Sequence, residues 1–182
     1  MGITKETLKF VERNIHAPGG MSMLELGCQE LYPGRAVAKK YWDSIGFKCL
    51  SIDISGCLGS ERVDLNHPVN LGQFDVVTNF GTSEHVVDVY NCFLNIHNAC
   101  KVGGIMLHVV PVTGNWPGHG IHYFKKEFFK VLVNKSKYEG LEWMASAAEN
   151  NVKDGWQMHC AIRKIGNKFI KRAAFMEYIS DH

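Results

Sequence analysis

The 182-residue sequence predicts one α/β domain, a mostly parallel sheet covered by helices on both faces. Three observations lead to this. Strand-like and helix-like segments alternate along the chain, with no internal repeat, low-complexity stretch or linker dividing them. The Val76-Val77 pair is β-branched, as strands buried on both faces prefer, and Ile105 to Val110 is the strongest strand signal in the chain. The apolar run Met21 to Leu26 ends in Glu25-Leu26-Gly27 and a loop before a helix-like pattern, which describes a ligand turn at the end of a strand.

In chain order, residues 4–15 predict an opening helix and Met21 to Leu26 the first strand. After Pro33-Gly34, Val37, Tyr41 and Ile45 recur every four residues beside Ala38 and Trp42, giving a helix with an apolar stripe that Gly46 closes. Cys49 to Ile54 form a second strand, Glu61 to Asp64 a short third and Phe74 to Phe80 a fourth. Val89, Phe93, Ile96 and Cys100 mark one helix face, which Gly103-Gly104 is expected to end before the fifth strand, Ile105 to Val110, stops at Pro111. Lys125 to Asn134 predicts a helix burying Phe128, Phe129 and Leu132. Leu141 to Ala147 and Trp156 to Ile165 complete seven strands as an antiparallel pair, joined through Glu149-Asn150-Asn151 and Asp154-Gly155. Asn167 to Ile179 is expected to close the chain as a helix with Phe169, Ala173 and Met176 inward.

A chain of this length can bury about 70% of its unfolded surface around one core. Apolar residues make up 46% and charged residues 21%, the mix of a soluble domain, and no apolar run approaches the ~20 residues that span a bilayer. Met1 to Glu6 lack the apolar core of a secretory signal, and Gly2 and Lys5 do not make a lipidation site, so a cytoplasmic protein is expected. Six dispersed cysteines with no Cys-x-x-Cys pair indicate reduced thiols, neither a disulfide framework nor a zinc ribbon. A net charge of +2 points to no polyanionic partner, and Lys164, Lys168, Lys171 and Arg172 are expected on a solvated helix face.

A glycine at position 27 lets the backbone pass close to a ligand, and a carboxylate ending the second strand, Asp53, can accept from a ribose diol. Together they suggest an adenosine-containing cofactor. Four segments extend the pattern: Leu24-Glu25-Leu26-Gly27-Cys28, Ser51-Ile52-Asp53, Val63-Asp64-Leu65-Asn66, and Phe74 through Phe80 continuing into Gly81-Thr82-Ser83-Glu84-His85-Val86. In order and spacing, from about Met21 to Ile165, the chain resembles the class I, Rossmann-like S-adenosylmethionine-dependent methyltransferases. The resemblance implies a Rossmann-like three-layer α/β/α sandwich, S-adenosyl-L-methionine as cofactor, and methyl transfer by direct displacement.

It also implies roles. Asp53 would take the ribose hydroxyls, with Ile54 and Cys28 in the same pocket, Cys28 as an apolar loop filler. Gly27 would admit the methionyl part, and Glu25 would orient that loop or, through water, the ammonium group. Asp64 would accept from the adenine amino group with Leu65 against the ring, Asn79 and Phe80 would lie near the methyl carbon, and His85 would shape the cofactor pocket. Each acid has a second reading: Glu25 as a cap on backbone amides, Asp53 as the start of a turn with Ser55-Gly56, Asp64 as an exposed loop acid. One departure stands out. The family commonly has Gly-x-Gly here, whereas Gln29 and Glu30 follow Cys28 and the next glycine is Gly34. A lengthened turn accounts for it, since S-adenosylmethionine has no pyrophosphate to cradle.

Displacement at a sulfonium requires alignment rather than a covalent nucleophile, and a general base only where the acceptor loses a proton. The segment Asn115 to Phe124, leaving the carboxyl end of the fifth strand, is rich in imidazole and aromatic groups. It is expected to form a substrate lip in which His119, His122 and Tyr123 bind or deprotonate the acceptor, against a structural reading in which Tyr123 and Phe124 pack beneath the loop. His119 and His122 have metal-ligand spacing, with His159 or Cys160 as further candidates, but no third ligand lies nearby in sequence and no metal is expected. A small-molecule acceptor suits the near-neutral charge better than nucleic acid. Two other functions compete: an NAD-dependent oxidoreductase, against which Gly-x-Gly-x-x-Gly is missing, and a nucleoside-binding module without turnover, which Gln29-Glu30 keeps in play.

Overall fold

In the computed structural model, which describes residues 2–147 and 156–181, the chain begins with α1 (Lys5–Asn14). Thr4 caps it, its hydroxyl accepting from the Thr7 amide at 3.2 Å and satisfying a donor that a helix start leaves open. The sheet strands are β1 (Ser22–Leu26), β2 (Lys48–Asp53), β3 (Glu61–Arg62), β4 (Phe74–Phe80), β5 (Cys100–Pro111), β6 (Tyr138–Ala147) and β7 (Trp156–Lys164). They lie in the order β3-β2-β1-β4-β5-β7-β6, all parallel except β7, which runs antiparallel to both its neighbours. The expected seven-stranded, mostly parallel α/β/α architecture is therefore present, with its one reversed strand near the C-terminus.

Strand alternation divides the core in two. Met23, Val76, Phe80, Leu107 and Val109 face α1 and α2 (Ala38–Ser44), meeting Phe10, Val11 and Trp42. Leu24, Leu26, Val77, Met106 and Val110 face the other way, toward α3 (Val89–Ala99), α4 (Phe128–Lys135) and α5 (Arg172–Met176). Asp88 caps α3 by accepting from the Asn91 amide at 2.9 Å. The strand order reverses between β1 and β4, so their carboxyl ends flank the crevice where open α/β sheets bind ligands.

Several elements differ from expectation for identifiable reasons. Pro33-Gly34 turns a small hairpin, pairing Glu30–Leu31 with Ala36–Val37, so α2 starts only at Ala38. The helix before β5 ends at Ala99, and Gly103-Gly104 belongs to the strand. A Cβ on Gly104 would stand 2.9 Å from the Asp75 carbonyl oxygen and from Cys100 Sγ, so the glycine serves close strand contact beside a register shift. The closing helix spans only Arg172–Met176. Phe175, rather than Ala173 or Met176, turns inward, because its ring enters a cluster with Phe93 and Phe128 at 5.3 and 5.0 Å.

The basic cluster also resolves differently from a solvated helix face. Lys164 is buried at the end of β7, and its ammonium donates to the carbonyls of His97 and Cys100 at 2.8 and 2.9 Å, closing the C-terminus of α3. Arg172 makes a two-pronged bond to Asp88 (2.9 Å each) and lies over the Tyr90 ring, leaving Lys168 and Lys171 exposed. The expectation of reduced thiols throughout is corrected: Cys28 and Cys57 are disulfide-bonded, with Cα atoms 6.0 Å apart, while Cys49, Cys92, Cys100 and Cys160 are free and buried. Among the described residues no helix is long and apolar enough to cross a membrane. The turn expected at Glu149-Asn150-Asn151 and Asp154-Gly155 lies outside the described residues.

Candidate functional site

A cleft of 260 Å³ opens at the carboxyl ends of β1 and β2 and beside the turn that follows β4. Its floor is the turn after β1. Gly27 has a φ of +77°, and a Cβ there would stand 2.6 Å from Thr82 Oγ1 and 2.9 Å from Gln29 Nε2, so only glycine lets the two turns meet. Thr82 fixes that meeting by donating to the Leu26 carbonyl at 2.8 Å.

Asp53 ends β2 on the cleft wall. One carboxylate oxygen accepts from the Ser55 amide and hydroxyl at 2.7 and 2.5 Å, and the other from the Cys28 amide at 3.1 Å. Burial alone would raise its pKa, but these bonds outweigh burial and hold the carboxyl below its ordinary value. Both readings of Asp53 thus describe real geometry: it turns the chain with Ser55 and faces the cleft. The Cys28–Cys57 disulfide ties the β1 turn to the segment just beyond Asp53. On the third wall Asp64 accepts from the Asn66 amide and side chain at 2.9 and 2.8 Å, bonds that lower its pKa, and Leu65 supplies an apolar surface.

Seven residues expected at the cofactor therefore line one cleft: Gly27, Cys28, Asp53, Ile54, Asp64, Leu65 and His85. Glu25, Asn79 and Phe80 do not line it. Glu25 alternates with Leu24 and Leu26 and so points toward α2, where it accepts from Trp42 Nε1 at 2.8 Å. Burial there pushes its pKa up to about 7, against the opposing bonds from Trp42 and Ser51. Asn79 is fully buried, its amide holding the Ser83 hydroxyl and backbone at 2.8 and 3.0 Å and reaching His108 at 3.3 Å. His108, stacked on Phe93, is kept neutral by burial, with a pKa of about 3. Phe80 sends its ring into the core facing α1, and only its carbonyl turns toward the cleft residues.

That carbonyl reveals what the sequence pattern concealed about Gln29. The side chain crosses from the β1 turn to the β4 turn, its Nε2 donating to the Phe80 carbonyl at 3.0 Å, and its buried Oε1 has no hydrogen-bond partner among the described residues. Gln29 thus stands in the lining as a bridge between turns with one acceptor left over.

The residues expected at the acceptor separate into two groups. Tyr123 is buried. Its hydroxyl donates to the Trp116 carbonyl at 2.7 Å and accepts from the amides of His119 and Gly120 at 2.9 and 3.1 Å, so it shapes the loop. His122 has both ring nitrogens engaged, by Asp181 and by the Val87 carbonyl, each at 2.9 Å. His119 alone turns toward the cleft wall. Its ring meets that of His85 edge-on at 5.2 Å, and its Nε2 lies 3.7 Å from Glu84, a buried acid that the sequence reading left without a role. His159 packs on Phe10 and Cys160 lies in the core toward α3, so neither joins His119. Burial lowers the His85 pKa. A second hollow, of 370 Å³ and largely apolar, opens at the end of β5 between Trp143, Trp156, Met144 and Met158, with Asn115 of the His119 loop on its edge.

No protein-family model matches the chain, and no curated protein does. Solved structures do. The [4+2]-cyclase SpnF is similar with a TM-score of 0.66 at 15% identity, over 88% of this chain and 81% of that one. A putative methyltransferase from Bacillus halodurans gives a TM-score of 0.63 at 14% identity, over 87% and 98% of the two chains. The 1,6-didemethyltoxoflavin-N1-methyltransferase of Burkholderia thailandensis, crystallised with 1,6-didemethyltoxoflavin and S-adenosylhomocysteine, gives 0.60 at 14%, over 81% and 72%. At such identities the likeness defines the fold, and the fold is that of the class I, Rossmann-like S-adenosylmethionine-dependent methyltransferases.

Proposed function

We propose that the protein is an S-adenosylmethionine-dependent methyltransferase acting on a small-molecule acceptor. The supporting observation is the pairing, across one cleft at the topological switch point, of an ionised Asp53 with a main-chain turn that only Gly27 permits. Asp53 binds a ribose hydroxyl through the one acceptor site on Oδ2 that Ser55 and Cys28 leave free, a charge-assisted contact of about 1.5–3 kcal/mol. Asp64 and Leu65 take the adenine, Leu65 against its face. Gln29, in the same lining, offers its Oε1 to the ammonium of the methionyl part.

Bound S-adenosylmethionine supplies an electrophilic methyl carbon on sulfur. The chain's part is alignment, holding the acceptor atom opposite the sulfur at about 3–3.5 Å. The hollow between Trp143 and Trp156 suits an apolar, planar acceptor, since both rings are partly exposed there.

Calorimetric titration with S-adenosylhomocysteine tests this reading. The unmodified protein is expected to bind it and not NAD, and Asp53→Ala to bind at least about tenfold more weakly. Because Asp53 also holds its turn, Ser55→Ala serves as the control that loses the hydroxyl bond to Asp53 and keeps the carboxylate and the amide bond. Equal affinity of Asp53→Ala and the unmodified protein would overturn the assignment.

A further inference from the structure

Glu84 sits in the turn after β4 with 0% of its surface exposed, and neither of its carboxylate oxygens has a hydrogen-bond partner among the described residues. A buried carboxylate without partners is costly, and proteins retain one where a cation neutralises it. The surroundings hold it firmly. Its own carbonyl accepts from the amides of Ile121 and His122 at 2.8 and 3.1 Å, and the loop closes onto it at Gly120, where a Cβ would stand 3.0 Å from Glu84 Cγ.

The same closure delivers His119. Its Nε2 is buried, also lacks a hydrogen-bond partner among the described residues, and faces Glu84 Oε1 at 3.7 Å. His85 completes the cluster: one ligand atom from each of Glu84, His85 and His119 lies within 4.8 Å of the others. A protonated His119 paired with Glu84 would not satisfy the site. Their separation exceeds hydrogen-bond length, and the second carboxylate oxygen would remain without a partner.

We infer that Glu84, His85 and His119 bind one divalent transition-metal ion of the zinc(II) class. Two imidazoles and a carboxylate suit such an ion, and tetrahedral bonds of about 2.0–2.1 Å bring ligand atoms to about 3.4 Å from one another. The Glu84–His119 separation is already near that value, and the His85 ligand atom lies within 4.8 Å of both. Three protein ligands leave a coordination position open, as in catalytic zinc sites. His85 lines the cleft, so the ion would stand at its wall. Resting on the methyltransferase reading, its role would be to bind the acceptor's hydroxyl oxygen and lower its pKa so that the proton passes to solvent; the oxygen would then form its bond to the methyl carbon as the carbon–sulfur bond breaks and S-adenosylhomocysteine leaves.

The test uses the full chain, stripped with a chelator and titrated with zinc(II) alone, and with cobalt(II) for its visible spectrum, in the absence of nucleoside. One equivalent is expected to bind, with His85→Ala and His119→Ala each weakening it at least about tenfold and removing the cobalt band. Glu84→Gln, of equal size, is expected to do the same with its thermal transition followed in parallel, whereas His16→Ala, at an exposed site, leaves binding unchanged. No stoichiometric zinc binding, or binding unaltered in both histidine variants, would overturn the inference. S-adenosylhomocysteine titrated into the same metal-free samples separates the two claims. Zinc lost with nucleoside affinity retained refutes the metal site alone, and the reverse result refutes the methyltransferase reading alone.

Discussion

The two flanks of the switch point follow opposite plans. On the β1–β2–β3 flank, polar groups are organised by neighbours close in sequence: Ser55 holds Asp53 and Asn66 holds Asp64, and the disulfide fastens one turn to the next. On the β4–β5 flank, Glu84 and His119 come from separate loops and meet at 3.7 Å with no hydrogen-bond partner for either side chain among the described residues. The contrast indicates that the first wall of the cleft is preformed largely by short-range turn chemistry, whereas the second depends on loops folding over one another.

Reducing the Cys28–Cys57 bridge is expected to have the largest effect on this comparison. It links residues with a sequence separation of 29, for which chain entropy gives about 3–4 kcal/mol. Urea unfolding with and without reductant should show a lower midpoint and weaker S-adenosylhomocysteine binding, with zinc binding unaffected. Equal losses on both flanks would mean that they are not independent.

Glu25 lies behind the first flank and couples it to pH. Its pKa is raised from 4.5 to about 7 by burial, so the folded protein holds this proton more tightly than the unfolded chain does. The resulting stabilisation is complete below about pH 4.5 and is lost as pH rises through 7, a change of about 3 kcal/mol. Glu25→Gln keeps an acceptor for Trp42 and is expected to remove that slope, read as the difference between variant and parent in urea midpoints at pH 5 and pH 8. An identical slope in both would show that the carboxylate is not the titrating group.

Gly27→Ala should break the first flank selectively. The left-handed backbone and the contact with Thr82 together cost about 2 kcal/mol, with loss of S-adenosylhomocysteine binding and retention of zinc. Tyr123→Phe is the reciprocal and smallest change. Losing the hydroxyl that holds the amides of His119 and Gly120 should cost about 1–1.5 kcal/mol, weaken zinc binding and leave nucleoside binding intact. Should either variant impair both ligands equally, the division into two plans fails.

Much of the scaffold was legible because its signals are local. β4 falls on Phe74–Phe80, as its β-branched run indicated, and α3 begins after a capping Asp88 with its apolar face as spaced. The face of Glu25 could also have been read, since alternation with Leu24 and Leu26 places it opposite them. Other features carried no such signal. Cys28 and Cys57 form no motif, Lys164 looks like any surface lysine, and Gln29 appeared only as a missing glycine. Each acquires its role from a distant partner: the other sulfur, the end of α3, the Phe80 carbonyl.

The sequence by itself determined the sheet, the order of its elements and the carboxylate and glycine of the cleft, because periodicity, turn residues and strand ends act over a few positions. The tertiary structure alone decided which polar groups remain unpaired. It gave both nitrogens of His122 and the hydroxyl of Tyr123 to the scaffold and left buried atoms of Glu84, His119 and Gln29 without a hydrogen-bond partner among the described residues. Whether a buried polar atom finds a partner depends on every segment that folds around it, and that sum exists only in three dimensions.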